Sequence, residues 1–354
     1  MKSHYPLVVI GAGPAGMACA ISAAQHGVEV AVLDAQASPG GQIYRDVAKA
    51  SNKKQRLLGG DYAAGAKLVK KFERSNAHYF TNASVWYLDN ERNIGVTQDG
   101  KSHRLTADAV VIATGARERP MPIPGWELPG VMTAGAGQVL LKSAGVIPNS
   151  PIVLAGSGPL LLLVAQQYLR AGVTINAILD TTPKANWPKA KSLLPHALLA
   201  TEYFLKGAQM WAAIKVARVP IYKEVTNIQA SGDSSLKQVS FDSSGNSNSI
   251  DTNLVLLHQG VIPTVHMAQA AGCKTQWDDG QQCWQVETDS WGQTSRDGIF
   301  SVGDGASSGG AKVAQISGEL TGLQCAHTLG EIGRNARNKY AKMLWRYRKR
   351  HDSI

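Results

Sequence analysis

The sequence predicts an α/β protein made of two strand–glycine–helix units, one opening the chain and one near its middle. Three observations carry that expectation. With 354 residues and 44% apolar content the chain can bury a sizeable core, and its length suits two domains. Its 36 glycines beside only 6% aromatic residues suit a fold with many strand-to-helix turns. Two stretches, 7–34 and 151–180, each run an apolar strand into a Gly-x-Gly turn, a helix and a second apolar strand ending on an aspartate.

The first unit, "PLVVIGAGPAGMACAISAAQHGVEVAVLDA", has every part of a dinucleotide-binding turn. Leu7 to Ile10 form a buried strand, and Gly11, Gly13 and Gly16, with Pro14 and Ala15 between them, turn it into a helix. The helix ends near Gly27, and the strand from Val28 to Leu33 stops at Asp34. Glycine at those spacings gives a tight turn, a close approach of backbone to pyrophosphate, and close packing of helix on strand. The helix N-terminus offers amide donors and partial positive charge to phosphates, and Asp34 stands where a carboxylate binds ribose hydroxyls. Next, "SPGGQIYRDV" sets Gly40 and Gly41 in a turn that can lie against a ligand, with Gln42 and Arg45 able to hydrogen-bond it. Residues 53–75 read as one amphipathic surface helix. A β-meander, with Asp99-Gly100 as a hairpin turn, then returns to a core strand from Ala109 to Ala113, and Ala113-Thr114-Gly115 closes this half.

"PMPIPGWELPGV" is a proline-rich crossing between domains. The second unit, "PIVLAGSGPLLLLVAQQYLRAGVTINAILD", keeps Gly156, Gly158 and a terminal Asp180, but has Leu161 where a small residue lets helix and strand approach. Leu161 predicts a helix shifted outward, its amides withdrawn from any pyrophosphate, and Pro159 removes one donor. An adenine nucleotide or NAD at Gly156, Gly158 and Asp180 stays open, whereas NAD(P)H as hydride donor is not expected. A helical region over 192–219 and a second meander follow, and "NLVLLHQGVIP" closes this half. Finally "DGIFSVGDGASSGGAKVAQ" gives a short strand, Gly303-Asp304, a glycine loop and a helix.

The net charge of +10 is concentrated in "RNARNKYAKMLWRYRKR", residues 334–350, with eight basic residues and no acidic one. It reads as a terminal helix, solvated or docked on an acidic partner protein, with Leu344, Trp345 and Tyr347 interleaved as an amphipathic partner surface. No nucleic-acid-binding motif accompanies it, so nucleic acid is not expected as a partner. Cys19, Cys273, Cys283 and Cys325 include no CxxC spacing, which excludes a metal knuckle and a dithiol redox motif. No apolar run is long enough for a transmembrane segment, and the apolar stretch at the start is too short for a signal peptide, so the expected location is cytoplasmic. His258 reads as a structural loop histidine, and His196 and Trp187 as packing or interface residues; no catalytic residue and no metal ligand is assigned.

Together GAGPAG at 11–16, ATG at 113–115 and GD at 303–304 resemble flavoproteins with two dinucleotide-binding domains, the class of thioredoxin reductase and glutathione reductase. The resemblance implies two Rossmann-like, three-layer domains, the second inserted in the first: an FAD-binding domain over 1–118 and 288–354, and an NAD(P)-binding-like domain over 119–287. It implies that the first motif holds the FAD pyrophosphate, that the ATG strand packs beside FAD, and that Asp304 binds the ribityl or pyrophosphate region. The helix beginning near Lys312, Val313 and Ala314 would point its N-terminus at the flavin. Ala35 and Val85 complete the implied cofactor set.

A nearer likeness, carried by "GGQIYR", "ATGARERPMPIPGW", "LPGVMTAGAGQ" and "GSGPLLLLVA", is to the FAD subunit of bacterial hetero-oligomeric amino-acid and opine dehydrogenases. That group includes the A subunit of opine oxidase, D-hydroxyproline dehydrogenase and a hydrogen cyanide synthase subunit, and Leu161 fits its pattern. It implies that a partner flavoprotein subunit oxidises an amine carbon while this subunit passes electrons on. Such subunits usually continue into a cysteine-rich domain holding a [2Fe–2S] cluster. Here either a small separate subunit carries the cluster or electrons leave by another route. Two other readings are a stand-alone NAD(P)H-dependent reductase without redox cysteines, and a non-catalytic FAD- or adenine-nucleotide-binding subunit.

Overall fold

The computed structural model describes residues 1–185, 201–307 and 309–351, so Trp187, His196 and the start of the expected 192–219 helical region lie outside the described residues. The chain opens with β1 (His4–Ile10), whose Leu7, Val8 and Val9 are fully buried, then α1 (Pro14–Gln25) and β2 (Val30–Leu33). Continuous apolar runs of this kind suit parallel strands covered on both faces. The expected single helix over 53–75 is two helices, α2 (Asn52–Leu58) and α3 (Gly60–Glu73). Gly59 separates them at φ +100°, a conformation that glycine adopts without a steric cost.

Strands β3 (His78–Phe80), β4 (Ala83–Leu88), β5 (Asn93–Gln98) and β6 (Lys101–Ile112) complete this segment. The sheet order is β3-β2-β1-β6-β5-β4. The first half of β6 pairs antiparallel with β5 and its second half runs parallel to β1, so one strand of 12 residues joins meander to core. The expected strand from Ala109 is the end of that longer one.

After β7 (Ala116–Glu118) the second unit begins with β8 (Val131–Thr133), α4 (Ala134–Ala144), β9 (Ile152–Gly156), α5 (Pro159–Arg170) and β10 (Ile175–Asp180). Helix α6 (Thr201–Val216) and β11 (Ile221–Tyr222) follow, and then an antiparallel meander of β12 (Thr226–Ser231), β13 (Gln238–Ser243) and β14 (Asn246–Asp251). The unit closes with β15 (Val255–His258) and β16 (Val261–Pro263). Its parallel sheet runs β11-β10-β9-β15-β8, over a core that includes Val153, Leu179, Phe241 and Leu257.

The last segment contains α7 (His266–Ala270), β17 (Thr275–Asp278), β18 (Cys283–Val286), β19 (Ile299–Ser301), α8 (Gly310–Thr328) and α9 (Arg334–His351). Strand β19 adds to β6 of the first sheet in parallel. The two compact units are 1–55, 60–117 and 262–353 on one side, 56–59 and 118–261 on the other. The chain therefore returns at 261/262, ahead of the 287/288 boundary that the resemblance implied. The reason is packing: Val265, Ala268, Ala271, Cys273 and Val286 belong to the buried cluster of the first unit, with Val8, Ile10 and Ile299.

Helix α8 lies close against α1 at two of its glycines. A Cβ on Gly318 would come 2.1 Å from the Ala15 carbonyl oxygen, and one on Gly322 would come 2.5 Å from that of Cys19. Four residues apart on a helix, the two glycines share a face. Helix α9 docks on the same unit through Leu344 and Trp345, which pack with Leu320, Leu323 and Ala341, and Trp345 meets Trp291 edge to face at 5.3 Å. This corrects the expected partner surface, because Leu344 and Trp345 face inward and Tyr347 alone of the three is exposed.

Candidate functional site

The first glycine turn is set by backbone collisions that any side chain would cause. Gly11 lies at φ +106°, and a Cβ there would sit 2.5 Å from the Ala113 carbonyl oxygen. A Cβ on Gly16 would come to 1.9 Å from the Gly11 carbonyl oxygen, so α1 rests directly on the turn. Gly13 caps α1 in an extended conformation, and Pro14 takes the first helical position, where a missing N–H costs nothing. Facing it, Gly41 at φ +59° brings its own backbone so near that a Cβ would be 2.9 Å from Gly13 Cα. Gly40 N–H donates to the Ala12 carbonyl at 2.8 Å. Ala12-Gly13 and Gly40-Gly41 thus form a cradle of bare backbone at a helix N-terminus, the geometry that admits a pyrophosphate.

Asp34 ends β2 at the rim of this cradle and is 7% exposed. Burial holds its carboxyl above the ordinary aspartate range, opposed by N–H donors from Gln36 and Ala12 and by the Tyr79 hydroxyl. The Gln36 amide donates to Oδ1 at 3.1 Å. Arg45 donates through Nη1 to Gln36 Oε1 at 2.5 Å and through Nη2 to Gln42 Oε1 at 3.0 Å. Its Nε is buried with no partner among the described residues, a donor that gains from an anionic acceptor. A cleft of about 100 Å³ is lined there by Gln36, Ala37, Ser38, Gly41, Arg45 and Asp46. Tyr62 supports the loop by donating to the Arg45 carbonyl at 2.7 Å, and burial pushes its phenol up to about 12.

On the other flank Thr114 Oγ1 donates to the Thr264 carbonyl at 3.2 Å, and Thr264 N–H to the Gly115 carbonyl at 3.0 Å. Gly303, at φ +65°, lies so close to α1 that a Cβ would be 2.7 Å from Ala15 Cβ. Asp304 Oδ1 accepts the N–H groups of Gly309 and Gly310 at 3.0 Å each. That oxygen, expected on a cofactor, here starts α8. Lys312 on the first turn of α8 is exposed, Val313 half-buried and Ala314 buried. Ala35 is exposed beside Asp34, while Val85 pairs with Val96 and packs on the core, so its side chain serves the sheet. The backbone cradle, the rim carboxylate and the unpartnered guanidinium N–H fit the dinucleotide part of FAD.

In the second unit Gly156 is as tightly placed, since a Cβ there would lie 1.7 Å from the His258 carbonyl oxygen. That oxygen also accepts the Ser157 N–H at 2.9 Å, so one amide of the turn is already engaged. Gly158 sits at φ +98°, and Leu161 is 2% exposed, filling the space beneath α5. Asp180 Oδ1 accepts the Thr182 N–H at 2.9 Å.

One pair here was not anticipated. His258 Nδ1 lies 2.5 Å from Glu118 Oε1, with His258 2% and Glu118 11% exposed, and Glu118 Oε2 accepts the Gly135 N–H at 2.7 Å. The ring's other edge faces the Gly158 turn, 3.9 Å from where a Cβ would stand. His258 is therefore a buried, partnered structural histidine, placed at the end of strand β15 where a loop was expected. The available signal was that a polar residue closes the apolar strand β15.

The four cysteines are buried, and none of them is in a disulfide. The sequence shows them scattered, yet Cys19 on α1 and Cys325 on α8 come together. Burial, with the Cys19 thiol adding to it, holds the Cys325 thiol well above its ordinary range. Such groups are poor nucleophiles. Among the described residues no cluster of His, Cys, Asp or Glu could hold a metal, and no helix is long and apolar enough to cross a membrane.

Residues 5–328 match the family model described as pyridine nucleotide-disulphide oxidoreductase. The A subunit of opine oxidase from Rhizobium meliloti is 42% identical over 94% of this chain, which spans 64% of that relative's length. The hydrogen cyanide synthase subunit HcnB of Pseudomonas aeruginosa is 31% identical over 89% of this chain and 69% of its own. Among solved structures, the L-proline dehydrogenase from P. horikoshii shares the fold, with TM-score 0.67 and 16% identity over 96% of this chain and 59% of that one. By the family match and these identities, the chain belongs to the pyridine nucleotide-disulphide oxidoreductases, in the branch of HcnB and the opine oxidase A subunit.

Proposed function

We propose that the chain is the FAD-holding, electron-transfer subunit of a hetero-oligomeric dehydrogenase acting on an amino acid, an opine or a related amine. One observation carries the reading: 42% identity to the A subunit of opine oxidase along nearly the whole chain, together with an uninterrupted backbone cradle in the first unit. Bound there, FAD supplies the redox chemistry. The chain's own residues bind and orient it. The amides of the α1 N-terminus take the pyrophosphate where the cradle lets it approach, Asp34 accepts from ribose hydroxyls, and Arg45 Nε donates to a phosphate oxygen. The N-terminus of α8 favours negative charge beside it by about 0.3–1 kcal/mol. None of the four cysteines is in a disulfide, and the neighbouring Cys19 and Cys325 lie wholly inside the protein, out of reach of a disulfide substrate, which speaks against disulfide reduction. Amine oxidation then belongs to a partner flavoprotein subunit.

The second unit keeps Asp180 for an adenine nucleotide or NAD, but the engaged Ser157 amide and the packed Leu161 speak against hydride delivery from that side. Purified protein is expected to be yellow and to release FAD on denaturation. Stopped-flow mixing with NADH or NADPH is expected to leave the flavin band intact, whereas the complex with the amine-oxidising subunit is bleached by its amine. Rapid bleaching of the isolated chain by either nucleotide would make it a stand-alone reductase. Colourless protein that cannot be reconstituted with FAD would remove the cofactor assignment.

A further inference from the structure

We propose that the solvent face of α9 is a docking surface for the acidic face of a partner protein. The proposal rests on the reading of the chain as one subunit of a complex, and it names the part of the chain that recognises another.

Helix α9 divides into three stripes at about 100° per residue. Leu344, Trp345 and Ala341 form the stripe that packs inward. Arg337 stacks on Trp291 at 4.2 Å and Arg348 on Trp345 at 5.6 Å, so two of the cations are tied to the protein's own aromatic rings. Lys339, Lys342, Arg346 and Lys349 are exposed and, spaced three or four apart, fall along one flank. None of these four makes an ion pair among the described residues. Tyr340, Met343 and Tyr347, 53%, 66% and 52% exposed, fall along the other flank. No carboxylate occurs between Arg334 and Arg350.

Four unpaired cations beside three exposed large side chains form a polar rim and an anchor stripe, the two components of a protein interface. The charge sets the partner's sign, since an acidic face gains both in orientation and in association rate. A lipid surface fits less well. The side chains with most to gain from a bilayer, Leu344 and Trp345, are already packed into the protein, and inserting them would undo the docking of α9. A second copy meeting this one face to face would set four cations against four.

The test places a photoreactive benzoylphenylalanine at Met343 of the full chain in cells of its source organism, followed by sequencing of whatever peptide is cross-linked. The expected product is one protein, joined through a segment rich in Asp and Glu. Its yield should fall roughly tenfold or more in K339E/K342E/R346E/K349E, and also as salt rises in cell extract. Reversing the partner's carboxylates to lysine should restore it. The milder K342E/R346E pair should show the same direction if the fourfold variant folds poorly. Flavin content and melting temperature of the variants should match the parent, so failure of the flavin assignment is read separately from failure of this one. A cross-link to lipid, to nucleic acid or to the chain itself, one indifferent to the charge reversals, or none at all would overturn the proposal.

Discussion

The two glycine turns of this chain begin alike and end differently, and the difference lies in what each packs against. At the first, Gly16 lies under α1 with no room for any Cβ, and the Ala12 amide serves the Asp34 carboxyl at the rim. At the second, Leu161 occupies the matching position and is almost fully buried, while the Ser157 amide is satisfied by the His258 carbonyl. At both, the first glycine presses on the next strand, Gly11 on the Ala113 carbonyl and Gly156 on that of His258, so what differs is the residue beneath the helix. A shared motif thus rests its helix on a glycine in one unit and on a buried leucine in the other.

Exchanging the decisive residue is the strongest way to break that comparison. Gly16→Leu would set a side chain against the Gly11 carbonyl, where even a Cβ would be at 1.9 Å. Backbone must then move, costing about 3 kcal/mol or more. The expected outcome is complete loss of bound flavin after gel filtration, with a large fall in melting temperature. A variant that keeps its flavin would show that the tight contact is not what shapes the cradle.

The reverse exchange, Leu161→Ala, removes a buried side chain and should cost about 2–5 kcal/mol of stability. It should give no bleaching of flavin by NADH, because the Ser157 amide stays bonded to His258. If the smaller residue confers rapid bleaching, the leucine alone was closing the second unit.

Much of the first turn was legible in the sequence because its contacts lie within a few residues or between adjacent strands. Gly16 meets the Gly11 carbonyl across the turn, and Asp34 follows one strand later. What could not be read depends on residues far apart in the chain. Glu118 and His258 are 140 positions apart and meet only once β15 is in place. The return crossing at 261/262 is set by where Val265 to Cys273 bury their side chains. Leu344 and Trp345 look like a partner surface in a basic run, and only the cluster around Leu320 and Leu323 shows that they face inward. Gly318 and Gly322 likewise take their role only from the position of α1.

Asp34→Asn sharpens the contrast at the rim. Burial raises the folded-state pKa of Asp34. Between its ordinary value and that raised one, the folded chain holds a proton that the unfolded chain has released. Stability there falls as pH rises, and by neutral pH the ionised carboxylate is a net cost to the flavin-free protein. The neutral amide should therefore leave flavin-free stability unchanged or higher, with a flatter dependence on pH above the ordinary aspartate value. Loss of charge-assisted bonds to ribose should cost about 1.5–3 kcal/mol, roughly ten- to hundredfold in FAD retention. Equal losses of stability and retention would mean that Asp34 acts only in folding.

Glu118→Gln should have the smallest effect and says most about the second turn. An ionised Glu118 only accepts, so His258 must carry its proton on Nδ1 and leave Nε2 facing Gly158 without one when the ring is neutral. Glutamine has one acceptor and one donor end. Its oxygen can keep the Gly135 N–H, while its amide N–H₂ turns to His258 Nδ1, which must then accept. Both bonds survive, so the expected stability loss is about 1 kcal/mol or less. The proton moves instead to Nε2, against the turn. Nitrogen-15 NMR of labelled histidine distinguishes the two neutral tautomers, and the signal of His258 should switch from the Nδ1–H to the Nε2–H form. An unchanged tautomer, or a loss of several kcal/mol, would show that Glu118 does not set the ring's orientation in the way its two contacts imply.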